Sequence, residues 1–199
     1  MKNVIVTDSK SVNHAKAIAE KTGSQLQVLD DPEAMLSEDC SLIVIAAGSS
    51  RLYVNPDVLK VMTLSKCPVY VVRTQNVEIK SLLIPVDNKT IVGAKADLVK
   101  RLARVFDADI TIIKIRDEAY RYVVDKLNVA MLRYVTRSHL KVRNYSTTQR
   151  NVVKYADKHD AVVLQGQPNT KVSASNYDTL IDTSSNVLYV KAKRGDYPF

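Results

Sequence analysis

Two aspartates and two glycines in this sequence stand where they could hold a ligand. Asp8 and Asp87 each follow an apolar run, and Gly48 and Gly166 each stand at the end of one. If the runs are parallel strands, all four residues lie at the carboxyl edge of a sheet, where open α/β sheets bind their ligands. A purely structural interpretation competes with this one. In it, the aspartates cap the following turns and the glycines simply end strands.

No catalytic motif accompanies these residues. The sequence contains neither Gly-x-Ser-x-Gly nor Gly-x4-Gly-Lys-Ser/Thr. The three histidines, His14, His139 and His159, share no motif and no metal-ligand spacing, so we predict that each is a surface residue. The sequence therefore predicts a protein that is not an enzyme and holds no metal.

The two cysteines, Cys40 and Cys67, directly precede apolar runs that are expected to be neighbouring strands. They fit a reducing compartment and are too few for an all-cysteine zinc site. A redox pair is one interpretation. Because the sequence has no Cys-x-x-Cys and no sign of thiolate activation, we favour two separate small hydrophobic residues.

The composition is that of a globular protein, with 46% hydrophobic and 25% charged residues in 199. Only 5 glycines are present, which argues against a glycine-rich phosphate loop. The N-terminus lacks the apolar stretch of a signal peptide, and the longest apolar run, 42–47, is too short to span a bilayer. We therefore expect a soluble, cytoplasmic protein.

The elements that must position these residues form an internal repeat. Each copy is an apolar run, an Asp, an amphipathic stretch and a second apolar run, a pattern typical of a β-α-β unit. The Asp residues are 79 apart and the Gly residues 118 apart, so the second copy holds one extra helix and strand. We predict two domains, 1–76 (truncated) and 77–199 (full), with buried parallel strands near 3–7, 42–47, 69–72, 82–86, 110–115, 161–165 and 187–191.

This pattern resembles the universal stress protein family, as a tandem member with a truncated first copy. The resemblance rests on IPVDNK, on the Gly-terminated strands in VIAAGSS and VVLQGQP, and on SKCPVYVVR. It implies an α/β fold of two doubly wound units with strand order 3-2-1-4-5, the first copy lacking one helix and strand 3. Family members dimerise through the last strand, so the two copies are expected to form an internal pseudo-dimer.

Some family members bind ATP through Gly-x2-Gly-x9-Gly-Ser/Thr after the fourth strand. Here Arg51 and Asn169 replace the second glycine in the two copies, and the distal Gly-Ser is missing. The resemblance therefore implies that ATP binding is impaired or lost. What survives is the end that contacts adenine and ribose, which AMP or adenosine would need, so AMP or ATP stays a candidate ligand; the residues of this end are Pro85, Val86, Asp87, Ile115 and Gly166, with Thr7, Asp8 and Gly48 as first-copy equivalents.

Three functions remain open at this point. We favour a non-enzymatic stress-response module that acts through protein interaction or as a homo-oligomer, most simply a dimer. Its partner surface is the predicted helix 118–137, whose two apolar stripes indicate burial on two sides. The first alternative is an adenine-nucleotide sensor. The second, which we do not favour, is nucleic-acid binding by residues 80–199, which carry a net charge of +9 whereas residues 1–79 carry −1.

Overall fold

The computed structural model describes residues 4–48, 54–86, 105–114, 140–143, 149–166 and 170–191. The strands are β1 (Val4–Thr7), β2 (Gln25–Val28), β3 (Leu42–Ala46), β4 (Val69–Val72), β5 (Ser81–Val86), β6 (Asp109–Lys114), β7 (Leu140–Arg143), β8 (Ala161–Gly166) and β9 (Asn186–Lys191). The helices are α1 (Val12–Thr22), α2 (Pro32–Ser37), α3 (Pro56–Leu64), α4 (Gln149–Ala156) and α5 (Ala174–Asp182). The predicted helix 118–137 lies outside the described residues.

All nine strands belong to one sheet, in the order β2-β1-β3-β4-β9-β8-β5-β6-β7. Every neighbouring pair is parallel except β4 and β9, which are antiparallel. The predicted α/β class and mostly parallel sheet are confirmed. The seven apolar runs predicted as strands coincide with β1, β3, β4, β5, β6, β8 and β9 to within a residue or two.

Alternate residues of the central strands enter two separate apolar cores, one on each face of the sheet. Ile5 and Val44 belong to one core, whereas Val6 and Ile43 belong to the other. Helix α1 covers the first core, and helices α2 to α5 cover the second. Because strands buried on both faces must be apolar throughout, β1 and β3 are continuous apolar runs rather than alternating ones.

The antiparallel pairing of β4 with β9, which joins the two halves of the sheet, is nearly symmetric about one residue pair. Tyr70 pairs with Leu188, and on either side Val69 pairs with Tyr189 and Val71 with Val187. Tyr70 and Leu188 are 118 residues apart, which is the spacing that also separates the two strand-closing glycines. The pairing is therefore centred on positions that are equivalent in the sequence repeat, as the symmetry of a twofold dimer requires.

Buried polar groups reinforce this join. The side chain of Asn186 is fully buried, and its Oδ1 accepts hydrogen bonds from the backbone N–H groups of Arg73 (2.8 Å) and Thr74 (3.2 Å). The segment that leaves β4 is thereby tied to the first residue of β9. Because a buried N–H without a partner is costly, Asn186 sets the path of the chain as it leaves the first half.

One histidine departs from the predicted surface location. His14 on α1 is only 5% exposed, its Nε2 lies 2.9 Å from the carbonyl oxygen of Asn76, and its ring lies near that of Tyr70. The prediction was wrong for His14 because α1 faces the segment after β4. His159 is half-buried in the turn after α4, and His139 lies outside the described residues.

Across the described ranges, none of the helices is long and apolar enough to cross a membrane.

The burial of His14 predicts a pH dependence of stability. Burial lowers the pKa of His14 below its ordinary 6.5, and the hydrogen bond with Asn76 opposes this shift only in part. The unfolded chain therefore binds this proton more readily, so the free energy of unfolding falls as the pH drops below about 6.5. In His14→Gln, which keeps a donor for Asn76 but does not titrate, we expect a shallower fall. Urea unfolding at several pH values measures it, and equal slopes for the two proteins would contradict this assignment.

Candidate functional site

In the first half, the carboxylate of Asp8, directly after β1, accepts hydrogen bonds from backbone N–H groups. Asp8 Oδ1 accepts a hydrogen bond from the N–H of Ser11 (2.7 Å), and Oδ2 accepts one from the N–H of Ala46 (2.9 Å). The first bond caps the turn that enters α1, whose N-cap residue Ser11 makes no side-chain capping bond of its own. The second ties the ends of β1 and β3 together. Thr7 is fully buried just before this carboxylate.

The glycine after β3 is required by its backbone conformation. Gly48 has φ +100, in the region that side-chain-bearing residues rarely adopt, and it is exposed. Among the described residues, a Cβ at this position would come within 4 Å of the Cβ of Asn55 alone, at 3.9 Å. Asn55 in turn begins α3, with its Oδ1 accepting from the N–H of Asp57. The segment between them, which includes Arg51, lies outside the described residues.

In the second half, the backbone pairing of two central strands stops early. Strand β5 pairs with β6 up to Val86, but its pairing with β8 covers only Leu82 and Leu83. Pro85 has no N–H with which to extend a ladder. β5 and β8 are the strands between which a doubly wound sheet forms its binding crevice. The ladder between β5 and β8 therefore ends before the carboxyl ends of the two strands.

Gly166 makes room for an aromatic ring. A Cβ on this residue would lie 2.0 Å from Oη and 2.5 Å from Cζ of Tyr189, a residue of the neighbouring strand β9. Tyr189 is only 1% exposed and belongs to the core on that face of the sheet. The absence of a side chain at Gly166 thus serves the packing between β8 and β9, in keeping with the structural interpretation of the strand-closing glycine.

Three polar residues around Gly166 were not identified from the sequence. Asn176 on α5 donates from Nδ2 to the backbone carbonyl of Gln165 (3.0 Å). The side-chain oxygens of Gln165 and Tyr189 are buried, and within the described part of the chain neither has a hydrogen-bond partner. Burial raises the pKa of Tyr189. The one signal in the sequence was a polar residue, Gln165, inside an otherwise apolar strand.

Only some of the remaining predicted site residues lie within the described ranges. Pro85 is buried in β5 and Val86 ends that strand. Asp87 and Ile115, on which the predicted adenine contact depends, lie outside the described residues. The structure therefore brings Thr7 and Asp8 together at one strand end, and Gly166 together with Tyr189 at another.

The cysteines are neighbours rather than separate residues. Their Sγ atoms are 3.0 Å apart, because β3 and β4 are adjacent and begin in register. The interpretation as two independent hydrophobic residues was wrong in this respect. Elsewhere in the described segments, no three His, Cys, Asp or Glu side chains lie close enough together to hold a metal ion.

Comparisons with known proteins give a fold. No protein-family model matches the chain, and no curated protein matches its sequence. A universal stress protein from Archaeoglobus fulgidus DSM 4304 superposes with a TM-score of 0.66 at 14% identity, covering 97% of this chain and 88% of that one. A functionally unknown protein from Pseudomonas aeruginosa PAO1 gives 0.64 at 14% identity, covering 96% and 82%. The chain therefore has the α/β fold seen in universal stress proteins.

A third structure, a universal stress protein in complex with cAMP, covers 58% of this chain at 14% identity with a TM-score of 0.43. A likeness of that extent supports no ligand for this chain.

The packing of Gly166 predicts the effect of adding one methyl group. In Gly166→Ala the Cβ collides with the buried ring of Tyr189, so we expect a loss of about 1–3 kcal/mol in the free energy of unfolding. Repeating the substitution in a Tyr189→Val background should give a smaller loss, since the colliding ring is gone. Urea denaturation of the four proteins measures both. An equal loss in the two backgrounds would show that the ring is not the cause.

Proposed function

We propose that this chain is a tandem universal-stress-type protein that acts in the stress response as a non-enzymatic, cytoplasmic module. Its halves, 1–76 and 77–199, would be two copies of one unit joined as an internal pseudo-dimer. The observation that supports this most directly is the β4–β9 pairing centred on Tyr70 and Leu188. A central pair of repeat-equivalent residues is expected of two copies related by a twofold axis and has no reason to arise between unrelated domains.

A cross-half contact adds to this support. The ammonium group of Lys191, on the last strand of the second half, contacts the carbonyl oxygens of Thr63 and Ser65 at the end of α3 in the first half. A positive charge is favourable at the carboxyl end of a helix, where carbonyl groups lack intrahelical partners. Lys191 thus helps to hold the last strand of one half against the other half.

The internal pairing has a consequence for partners. The edge through which the resembled family dimerises is already occupied, since β4 and β9 are hydrogen-bonded to each other within one chain. Self-association would therefore need another surface, and we propose the predicted helix 118–137 for a second copy or a protein partner. The outer edge of the first half is β2, which is short and partly exposed.

The proposal that ATP binding is lost rests on the first half as well as on the missing glycines. Asp8, the candidate contact there, already accepts two backbone N–H groups. Arg51 and Asn169 stand where binders have their second glycine. A site that must reach a triphosphate through backbone N–H groups needs small residues at those positions.

One alternative function is favoured by a specific observation in the second half. The early end of the β5–β8 pairing and the Gln165 side-chain oxygen, which has no hydrogen-bond partner among the described residues, are what a small-molecule site at the switch point would show. An adenine nucleotide, AMP or ATP, is the ligand that the resemblance suggests. Asp87, Ile115 and Gly166 would then contact it.

Nucleotide content separates the two functions. The protein is purified without added ligand and denatured, and the supernatant is analysed by liquid chromatography with mass detection. We expect no bound nucleotide and no rise in melting temperature with ATP or AMP, together with a mass by light scattering of twice that of one chain. An equimolar adenine nucleotide would overturn the proposed loss of binding and favour the alternative.

A matched pair of variants locates any nucleotide that is found. Asp87→Ala should abolish a ligand-induced rise in melting temperature if Asp87 contacts the ligand. Asp8→Ala should leave that rise intact while lowering stability by about 1–2 kcal/mol, because it removes the cap of α1. A rise that survives Asp87→Ala but not Asp8→Ala would place the site in the first half.

A further inference from the structure

Two thiols meet where β3 and β4 begin. The Sγ atoms of Cys40 and Cys67 are 3.0 Å apart, closer than two sulfur atoms in ordinary non-bonded contact, and both residues are free cysteines. The N–H of Ile43 donates to the carbonyl of Pro68 (3.0 Å), and Ile43 pairs with Val69, so the two strand ends are held in register. The sulfur atoms are therefore held together by the sheet itself.

The two sulfur atoms differ in exposure and in their neighbours. Cys40 is buried, whereas Cys67 is partly exposed. Ser65 Oγ lies 3.4 Å from Cys67 Sγ and is fixed by two bonds with the Cys67 backbone, one donated to its carbonyl (2.7 Å) and one accepted from its N–H (3.1 Å). Cys67 is thus the cysteine at the less buried position, and it has a positioned hydroxyl beside its thiol.

A positive charge lies at the same turn. Lys191 reaches from β9 to the carbonyls of Thr63 and Ser65. Burial lowers the pKa of Lys191, and the charge of a Cys67 thiolate opposes this shift. The hydrogen bond with the Cys40 thiol lowers the pKa of Cys67, and burial opposes this shift in part, while the same hydrogen bond and burial raise the pKa of Cys40. The positions of Ser65 and Lys191 beside Cys67 favour the thiolate on this residue.

We propose that Cys40 and Cys67 are a peroxide-oxidisable dithiol that closes reversibly to an intrachain disulfide, with Cys67 as the attacking residue and Lys191 as the group that stabilises its thiolate. This inference goes beyond the proposed function and does not depend on it. It concerns a modification site in the first half, remote in sequence from the nucleotide candidates of the second.

The chemistry balances with hydrogen peroxide as the oxidant. The Cys67 thiolate attacks one peroxide oxygen, the O–O bond breaks, and the departing hydroxide takes up the proton that Cys67 released, giving water and a sulfenic acid. The sulfur of Cys40 then attacks the sulfenic sulfur, the S–O bond breaks, and the hydroxyl leaves with the Cys40 proton as a second water. Two thiols lose two electrons and the peroxide gains them. A reducing dithiol reverses the closure by thiol–disulfide exchange.

The test uses the full chain, reduced with dithiothreitol, desalted and treated with hydrogen peroxide near neutral pH. We expect both free thiols to disappear and the intact mass to fall by that of two hydrogen atoms. No covalent dimer should form, and dithiothreitol should restore both thiols. Persistence of both thiols, a disulfide only between chains, or a wild-type product that stops at the sulfenic acid would each overturn the proposal.

Single-cysteine variants test which sulfur reacts first. In Cys40→Ser, Cys67 should accumulate as a sulfenic acid that a dimedone probe traps. In Cys67→Ser, Cys40 should resist the same treatment. The reverse pattern would overturn the assignment of Cys67 as the attacking residue. Should a serine variant fail to fold, judged by circular dichroism, the corresponding alanine variant gives the same readout.

The rate of thiol oxidation tests the role of Lys191. Lys191→Gln should slow thiol loss about three- to tenfold near neutral pH, because the thiolate fraction of Cys67 falls. The difference should shrink as the pH rises above the pKa of Cys67, where the thiol is ionised with or without the lysine. Lys80→Gln, which removes an exposed lysine paired with Glu78, is the matched control and should oxidise at the wild-type rate. Equal rates for Lys191→Gln and wild type would remove Lys191 from the site.

Discussion

The antiparallel hydrogen bonding between β4 and β9 is the interaction on which the rest of the structure depends. Without it, each half would expose the backbone groups of an apolar strand at a sheet edge, which invites pairing with other chains. With it, the two parallel sheets become one sheet of nine strands. Both cores then run through the join, since Tyr70 and Leu188 lie in one and Val71 and Tyr189 in the other. Asn186 and Lys191 add bonds that only this pairing makes available.

Much of this architecture could be predicted because strands that are buried on both faces of a sheet are recognisable in the sequence as apolar runs. Strands such as β3 and β8 are continuous apolar runs, and the repeat is visible in the sequence through the matched spacing of Gly48 with Gly166 and of Val69 with Val187. The environment of individual side chains was harder to predict. His14 faces the join and is buried, a fact that depends on where the segment after β4 runs and not on the sequence around the histidine.

The environment of the candidate site residues was equally hard to predict from the sequence. Residue types at strand ends singled out Asp8 and Gly166, but the contacts of these residues depend on neighbours from other strands. The N–H of Ala46 comes to Asp8 from β3, and the ring of Tyr189 comes to Gly166 from β9. Likewise, the contact between Cys40 and Cys67 depends on the register of two strands, which a single sequence does not specify when both are apolar throughout.

The two strand-end regions of this molecule are not alike in sequence, since Thr7 precedes Asp8 in the first half whereas Val86 precedes Asp87 in the second. In a dimer of identical chains, every substitution appears twice, so the two sites must change together. When both partners are encoded in one polypeptide, each site is free to change by itself, and the tether keeps the partners associated at any protein concentration. One half can then lose its ligand site and serve as a scaffold, while the other half keeps a functional site.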